Sequence, residues 1–369
     1  MDDQLMPKYL QIKNEILTWI NANSLYITNG LLPPEMWIAK NFNVSRQTVR
    51  QALGILEREG YVTRHKGKGT FVRTMKKSDE PDSKTIALVT TNLSNHNFPS
   101  IIKGVDETLR NRGYKLLLCS SDGDKKKEGE HIKNLTCQPI GGMIIEPTKS
   151  AHKNENLSLF LGLANKNIPY VMINERYPEL SCPCIKVDDE EAGFLAGEHL
   201  ITLGHRRIAG FFKTDDLQGV HRLKGFIRAH NEFNLALNPD LILTSITEET
   251  DWKTLNAFRF LLQDSIERPT AFVCYDDEVA IKLLEILRKK RLKVPEDISI
   301  LSFEESSLAT ATEVKLTCLK QLKKEMGIQA TKIILDMIEG KQKRWNQEIL
   351  YQSELIIRNS TKRNKEVLK

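Results

Sequence analysis

From Thr85 onward, short apolar runs alternate with amphipathic stretches, a pattern that few folds can accommodate. The runs are Ile86-Ala87-Leu88-Val89, Leu116-Leu117-Leu118-Cys119, Gly142-Met143-Ile144-Ile145, Tyr170-Val171-Met172-Ile173, Ile208-Ala209-Gly210-Phe211-Phe212, Ala271-Phe272-Val273-Cys274 and Ile298-Ser299-Ile300-Leu301. Helical spacing fills the gaps near 101–112, 126–135, 157–167, 192–203, 220–231 and 278–291. Apolar strands alternating with helices are buried on both faces and build parallel sheets. Nearly 290 residues is more than one ordinary core holds, so two α/β lobes are predicted. No internal repeat or low-complexity segment breaks the pattern.

The preceding residues follow a different plan. Tyr9, Ile12, Ile16 and Ile20 mark a helix from about Pro7 to Asn23, and Pro34 opens a second, to about Phe42, at an N1-like position. Asn43-Val44 turns the chain into a third helix that ends near Gly60. There Ser45 is the N-cap, and Val49, Ala52, Leu53 and Leu56 form one buried stripe. Arg46, Gln47, Thr48 and Arg50 fall on the other faces of its first turns. Arg reads guanine, Gln reads adenine and a Thr methyl meets thymine, so these side chains suit a helix laid in a major groove. Tyr61–Arg64 and Thr70–Arg73 read as short strands. They are joined by His65-Lys66-Gly67-Lys68-Gly69, a positive tip able to enter a minor groove or run along phosphates.

Charge is distributed to match. Residues 1–77 carry twelve Lys/Arg against six Asp/Glu, so the rest of the chain is balanced and the whole excess of +6 lies in the N-terminal fifth. A basic module joined to a neutral one marks a polyanion binder with a second function. Residues 1–75 are therefore read as one domain, 76–84, polar with Pro81, as a linker, and 85–369 as a second domain. No basic start leads into an apolar run and no segment is long enough to span a membrane, so a cytoplasmic location is expected. Cys182-Pro183-Cys184 is the one close cysteine pair, read as reduced thiols ahead of a zinc site.

The second domain shows no G-x-G-x-x-G after its first strand, no Walker A, no G-x-S-x-G and no H-E-x-x-H, and its histidines are scattered. In each of the adjacent acid pairs Asp188-Asp189, Asp215-Asp216 and Asp276-Asp277, one member reads as a helix N-cap rather than the two as a paired acid/base. No enzyme activity, cofactor or metal is expected.

Lys8-Tyr9-Leu10-Gln11-Ile12, Leu32-Pro33-Pro34-Glu35, Val44–Leu53 and Gly67-Lys68-Gly69-Thr70-Phe71-Val72 resemble the GntR-type winged helix-turn-helix over residues 7–73. That resemblance implies double-stranded operator DNA as partner. Its contacts would come from Ser45, Arg46, Gln47, Thr48 and Arg50 and from a wing at Lys66, Gly67, Lys68 and Gly69. Many members carry Arg after the Leu-Pro-x-Glu motif, where this chain has Met36 and Trp37.

From about Thr85 to Ser360 an ordered series of short motifs resembles the two-lobed effector domain of LacI/GalR-type repressors and periplasmic sugar-binding proteins (type I). The series includes Val187-Asp188-Asp189, Gly204-His205-Arg206-Arg207-Ile208, His221-Arg222-x-x-Gly225-Phe226, Tyr275-Asp276-Asp277 and Pro295-Glu296-Asp297. Ligands in such folds bind beyond the carboxyl ends of the strands. Residues there combine carboxylates, Arg, Asn and aromatics, the mixture that holds sugar hydroxyls and C–H faces. By resemblance Arg222 and Asp276 lead the effector-binding set, with Phe98, Glu146, Arg176 and Glu304. For Arg222 a surface helix arginine, and for Asp276 an N-cap of the next helix, are the simpler roles.

A GntR reader on a LacI-type domain resembles the arabinose-responsive repressors of Gram-positive bacteria. It implies a homodimeric repressor of sugar-utilisation genes, released by a small sugar, with L-arabinose the leading effector. A carbohydrate receptor, a repressor using a purine or phosphosugar as corepressor, and a sugar-modifying enzyme are the alternatives.

Overall fold

A computed structural model describes residues 7–21, 26–27, 30–58, 61–65, 69–72, 83–93, 98–263, 266–341 and 347–364. The chain divides into two compact units, 1–81 and 82–369. Residues 76–82 of the expected linker lie outside the described residues.

In the first unit, helices α1 (Lys8–Asn21), α2 (Glu35–Asn41) and α3 (Arg46–Arg58) precede β1 (Val62–His65) and β2 (Gly69–Val72). The predicted stripe packs as expected: Val49, Ala52, Leu53 and Leu56 meet Ile12, Ile16, Trp19 and Ile38 in one core. Pro34 takes the N-cap of α2 rather than its first helical position. The two strands pair antiparallel with His65 opposite Gly69. Leu31 adds a third ribbon against Phe71, and the Leu32 amide donates to Thr70 O at 2.9 Å. Gly69 has φ +111°, and a Cβ there would stand 2.8 Å from Leu31 Cδ1, so the wing's return needs glycine.

The second unit contains two six-stranded sheets. Its elements run β3 (Thr85–Thr90), α4 (Phe98–Asn111), β4 (Lys115–Ser120), α5 (Lys125–Leu135), β5 (Gly142–Ile145), α6 (Leu157–Asn165), β6 (Tyr170–Ile173) and β7 (Cys184–Val187). Then come α7 (Asp189–Thr202), β8 (Ile208–Lys213), α8 (Leu217–Glu232), β9 (Ile242–Ser245), α9 (Thr250–Leu261), β10 (Ala271–Cys274), α10 (Asp277–Lys289) and β11 (Ser299–Ser302). The chain continues with α11 (Leu308–Ala311), β12 (Thr317–Lys320), α12 (Lys323–Ile338), β13 (Glu348–Tyr351) and β14 (Glu354–Ile356).

One sheet has the order β13-β7-β6-β5-β3-β4 and the other β14-β12-β11-β10-β8-β9. All pairs are parallel except β14 on β12. The chain crosses between lobes after β7, after β12 and after β13, and α12 returns to pack in the first lobe. Beyond Leu301 these elements exceed what apolar runs reveal. The strands are three or four residues long, and α12 buries several faces at once through Met326, Ala330, Ile333 and Ile334.

Close helix crossings brace each lobe. On α4 and α12 a Cβ at Gly104 would lie 2.2 Å from Lys324 O, and one at Gly327 would lie 2.4 Å from Ile101 O. On α7 and α8 a Cβ at Gly193 would lie 2.1 Å from Arg222 O, and one at Gly225 would lie 1.8 Å from Glu190 O. Each helix contributes a glycine to its crossing, and with no Cβ there the partner's backbone carbonyl can approach this closely.

Candidate functional site

The first site is the exposed start of α3. Ser45 Oγ accepts from the Thr48 amide at 3.1 Å, the expected N-cap, and lies 2.7 Å from Thr48 Oγ1. Arg46, Gln47 and Arg50 are exposed. Arg46 Nε and Arg50 Nε both donate to Glu35 Oε2, at 3.0 and 2.9 Å. Partial burial works to raise the Glu35 pKa, but these two arginine bonds win and hold it below the ordinary carboxylate range. Arg64 on β1 donates to Arg50 O at 2.8 Å and so ties the wing to the helix. Of the expected wing contacts, Gly69 is exposed, whereas Lys66, Gly67 and Lys68 lie outside the described residues. Met36 is 70% exposed, while the Trp37 ring packs at an angle against Tyr26 and edge-on to Trp19. Glu35 was legible only as part of a motif; its grip on two arginines depends on the angle between α2 and α3.

The second site is the cleft between the lobes, a cavity of about 170 Å³ at the carboxyl ends of both sheets. Phe98, Glu146 and Glu304 border it, together with Asn174, Tyr275 and Lys323. Glu146 follows β5 and has its carboxylate occupied. Oε2 accepts from Thr90 Oγ1 at 2.7 Å and from the Thr91 amide and hydroxyl, both at 2.9 Å, while Oε1 accepts from Asn174 Nδ2 at 2.5 Å. On the opposite wall, burial and then the neighbouring Asp276 push Glu304 up to about 7, against the pull of Arg222 and Lys323.

Arg222 and Asp276 stand one layer behind this surface. Arg222 is 1% exposed; its Nε donates to Asp189 Oδ1 at 2.7 Å and one Nη to Tyr275 O at 3.1 Å, with the rings of Tyr275 and Phe303 on either side. Asp276 caps α10 by accepting from the Val279 amide at 2.8 Å. The simpler role of Asp276, the N-cap, is in place, whereas Arg222 is buried and so is not the surface arginine of the simpler reading. Arg176 corrects the expectation. It points away from the cleft, to Cys182 O at 3.3 Å and Glu348 at 3.5 Å, because the turn after β6 directs Asn174 inward and Arg176 toward β13. Lys323, absent from the expected set, is brought to the cleft wall by a lobe crossing, and Asp189, also absent from it, stands behind that wall on Arg222. No periodicity in the sequence signals that placement.

The three acid pairs behave alike. Asp188, Asp216 and Asp276 cap α7, α8 and α10, while Asp189 holds Arg222, Asp215 accepts from the Thr247 amide, and Asp277 accepts from Ser302 and Ser306. Cys182 and Cys184 are buried free thiols. Among the described residues no group of His, Cys, Asp and Glu could hold a metal, and no helix is long and apolar enough to cross a membrane.

Away from the hinge, the lobes touch directly at the cleft's mouth. The Leu217 amide donates to Ser150 Oγ at 2.9 Å, the Ala151 amide to Asp215 O at 3.2 Å, and Lys149 pairs with Glu248. His221 Nδ1 meets the buried Glu175 at 3.0 Å.

Comparison with known proteins bears on both sites. Residues 8–72 match the family described as bacterial regulatory proteins, gntR family, and residues 198–361 match the periplasmic binding protein-like domain. An arabinose metabolism transcriptional repressor of Geobacillus stearothermophilus is 52% identical over 98% of this chain and all of its own length. Another, of Halalkalibacterium halodurans, is 42% identical over 95% of this chain and 94% of its own. Among solved structures, a LacI family regulator from Enterococcus faecium with bound ribose has TM-score 0.65 at 24% identity, over 76% of this chain and all of its own. The regulator CelR in complex with cellobiose has TM-score 0.66 at 22% identity, over 96% and 98%. The chain is a DNA-binding transcriptional regulator, not an enzyme, and belongs to the arabinose metabolism transcriptional repressors, a gntR-family winged helix joined to a two-lobed periplasmic binding protein-like domain.

Proposed function

We propose that L-arabinose is the effector of this repressor, that it binds in the interlobe cleft, and that its binding releases the operator. The observation that carries the reading is a cleft lined by carboxylates, amide and aromatic groups in a chain whose relatives are named for arabinose metabolism. Phe98 offers an apolar face for the sugar's C–H patches, and Glu146 and Glu304 offer acceptors for hydroxyls. From behind, Arg222 holds the Tyr275 carbonyl and Asp276 holds the start of α10 in place.

Ser45, Arg46, Gln47, Thr48, Arg50 and Gly69, with Lys66, Gly67 and Lys68, make up the DNA-reading set. In this reading residues 1–75 read DNA and 76–84 connect them to the effector domain. Two copies of the chain engage two half-sites in the cytoplasm, and phosphate contacts make affinity fall steeply with salt. Release requires that the sugar bind the low-affinity form better, and the coupling is reciprocal.

A band-shift on DNA upstream of the chain's own gene, with a panel of sugars, tests this. L-arabinose should release the fragment where other pentoses do not. Tighter binding on adding arabinose would overturn induction, and release by a phosphosugar or purine alone would reassign the effector.

A further inference from the structure

The crossing after β12 is two residues long, Gln321 and Leu322, and delivers Lys323 to the first position of α12. The Lys323 side chain is nine-tenths buried, yet its ammonium reaches the cleft and donates to Asn174 Oδ1 at 3.0 Å. Asn174 follows β6 with φ +66°, a left-handed conformation that a residue other than glycine adopts at a cost and that recurs at working sites. Its amide nitrogen donates in turn to Glu146, whose other oxygen gathers Thr90 and Thr91 at the end of β3. One continuous chain of hydrogen bonds thus runs from the crossing, across the cleft floor, to the first strand of its lobe.

Across the cleft, Glu304 of the second lobe acts electrostatically on the same ammonium. A further pocket of about 290 Å³ beside the crossing is also bordered by Lys323 and Glu304. These two side chains therefore form the partition between cleft and hinge. An ammonium has three protons to donate, and Asn174 takes one. A polyol in the cleft presents oxygens that can take another, and Lys323 follows directly on the two-residue crossing, so a pull on its side chain is applied at that crossing.

We propose that Lys323 is a positioning residue through which sugar in the cleft acts on the hinge, with the left-handed Asn174 as its counterpart on the first lobe. The inference rests on arabinose being the effector. Sugar affinity and operator release are then separable, because release passes through the Lys323–Asn174 contact while most sugar contacts do not.

The test uses the full-length chain and measures arabinose affinity by calorimetry, and operator affinity with and without saturating arabinose by fluorescence anisotropy. In Lys323→Met the ratio of the two operator affinities should fall at least about tenfold toward one, with arabinose binding weakened by no more than about tenfold. Lys323→Arg should keep most of the ratio. Asn174→Ala severs the same bond while leaving the ammonium in place, and should lower the ratio as well; it carries the test if Lys323→Met fails to fold. An unchanged ratio in the folded variants overturns the proposal. So does loss of arabinose binding in both, which would make the pair affinity residues. Failure of the arabinose reading itself shows in the wild-type arm, as absent heat and absent release before any variant is compared.

Discussion

Arg50 Nε donates to Glu35 Oε2 at 2.9 Å, and Arg46 Nε meets the same oxygen at 3.0 Å, so one carboxylate orients both arginines at the start of α3. All three groups retain exposure, so the pairs add little to stability. Their effect is on orientation: two long side chains are held on one face, as the proposed reading of DNA by α3 requires. Arg50→Ala should weaken operator binding by roughly 1–3 kcal/mol, about five- to 150-fold, with an unchanged melting temperature. Wild-type affinity would remove α3 from the interface.

Glu35→Gln separates orientation from charge. Freed arginines should bind any duplex more readily, so affinity for non-specific DNA should rise while affinity for the operator falls. Competition with random-sequence duplex at fixed salt gives the ratio. A ratio equal to wild type would leave the Glu35 contacts without a role in reading.

The buried pair of Arg222 and Asp189 predicts a different outcome. Both side chains are removed from water, so deleting one strands the other. Arg222→Met should cost about 3–5 kcal/mol in urea unfolding, whereas Arg222→Met with Asp189→Leu should recover much of it, since a matched apolar pair often replaces a buried ion pair at little cost. Both variants should lose arabinose binding, because Tyr275 O loses its donor. A double variant no more stable than the single one would show that Asp189 is satisfied without Arg222.

Much of this architecture was legible because periodicity reports burial. Val49, Ala52 and Leu53 on α3, and runs such as Ile86–Val89, announce a helix face and a strand buried on both sides. Carboxyl ends of those strands then located the cleft, with Phe98, Glu146 and Glu304 on it. Adjacency along the chain does not give direction, however. Arg176 lies two residues from Asn174 yet turns toward Glu348, and Arg222 is buried against a carboxylate 33 positions earlier. Lys323 enters the cleft only because the chain crosses between lobes just before it. That is a property of topology, to which local pattern is blind.

The α7–α8 crossing gives a steric prediction. A methyl group at Gly225 would lie 1.8 Å from Glu190 O and 2.7 Å from Phe194 N, so the helices must separate. Gly225→Ala should cost at least about 1–3 kcal/mol. Because Arg222 is three residues away on the same helix, it should weaken arabinose binding as well. Gly162→Ala, on α6 with nothing within 4 Å of the added atom, is the control and should be neutral or stabilising by up to about 1 kcal/mol. Equal melting temperatures for the two variants would contradict the close packing.

His221 on α8 and Glu175 after β6 join the lobes through a titratable bond of 3.0 Å. The hydrogen bond that His221 donates to the Glu175 carboxylate raises its pKa above the ordinary 6.5; burial and Lys186 oppose this, and Asp189 adds to it. Since the folded value lies above the unfolded one, the pair's contribution is complete below about pH 6.5 and is lost as pH rises through the raised value. His199, His205 and His230 act in the opposite sense, because burial lowers their pKa values, for His205 to about 4. Wild-type stability alone therefore sums opposing slopes, and the informative quantity is the difference from His221→Gln. Unfolding free energies measured from about pH 5.5 to 8.5 at constant ionic strength should show wild type more stable than the variant at the acid end, with the gap closing toward the alkaline end. A constant gap, or one that widens with pH, would mean that His221 is neutral throughout and that the clasp between the lobes carries no charge.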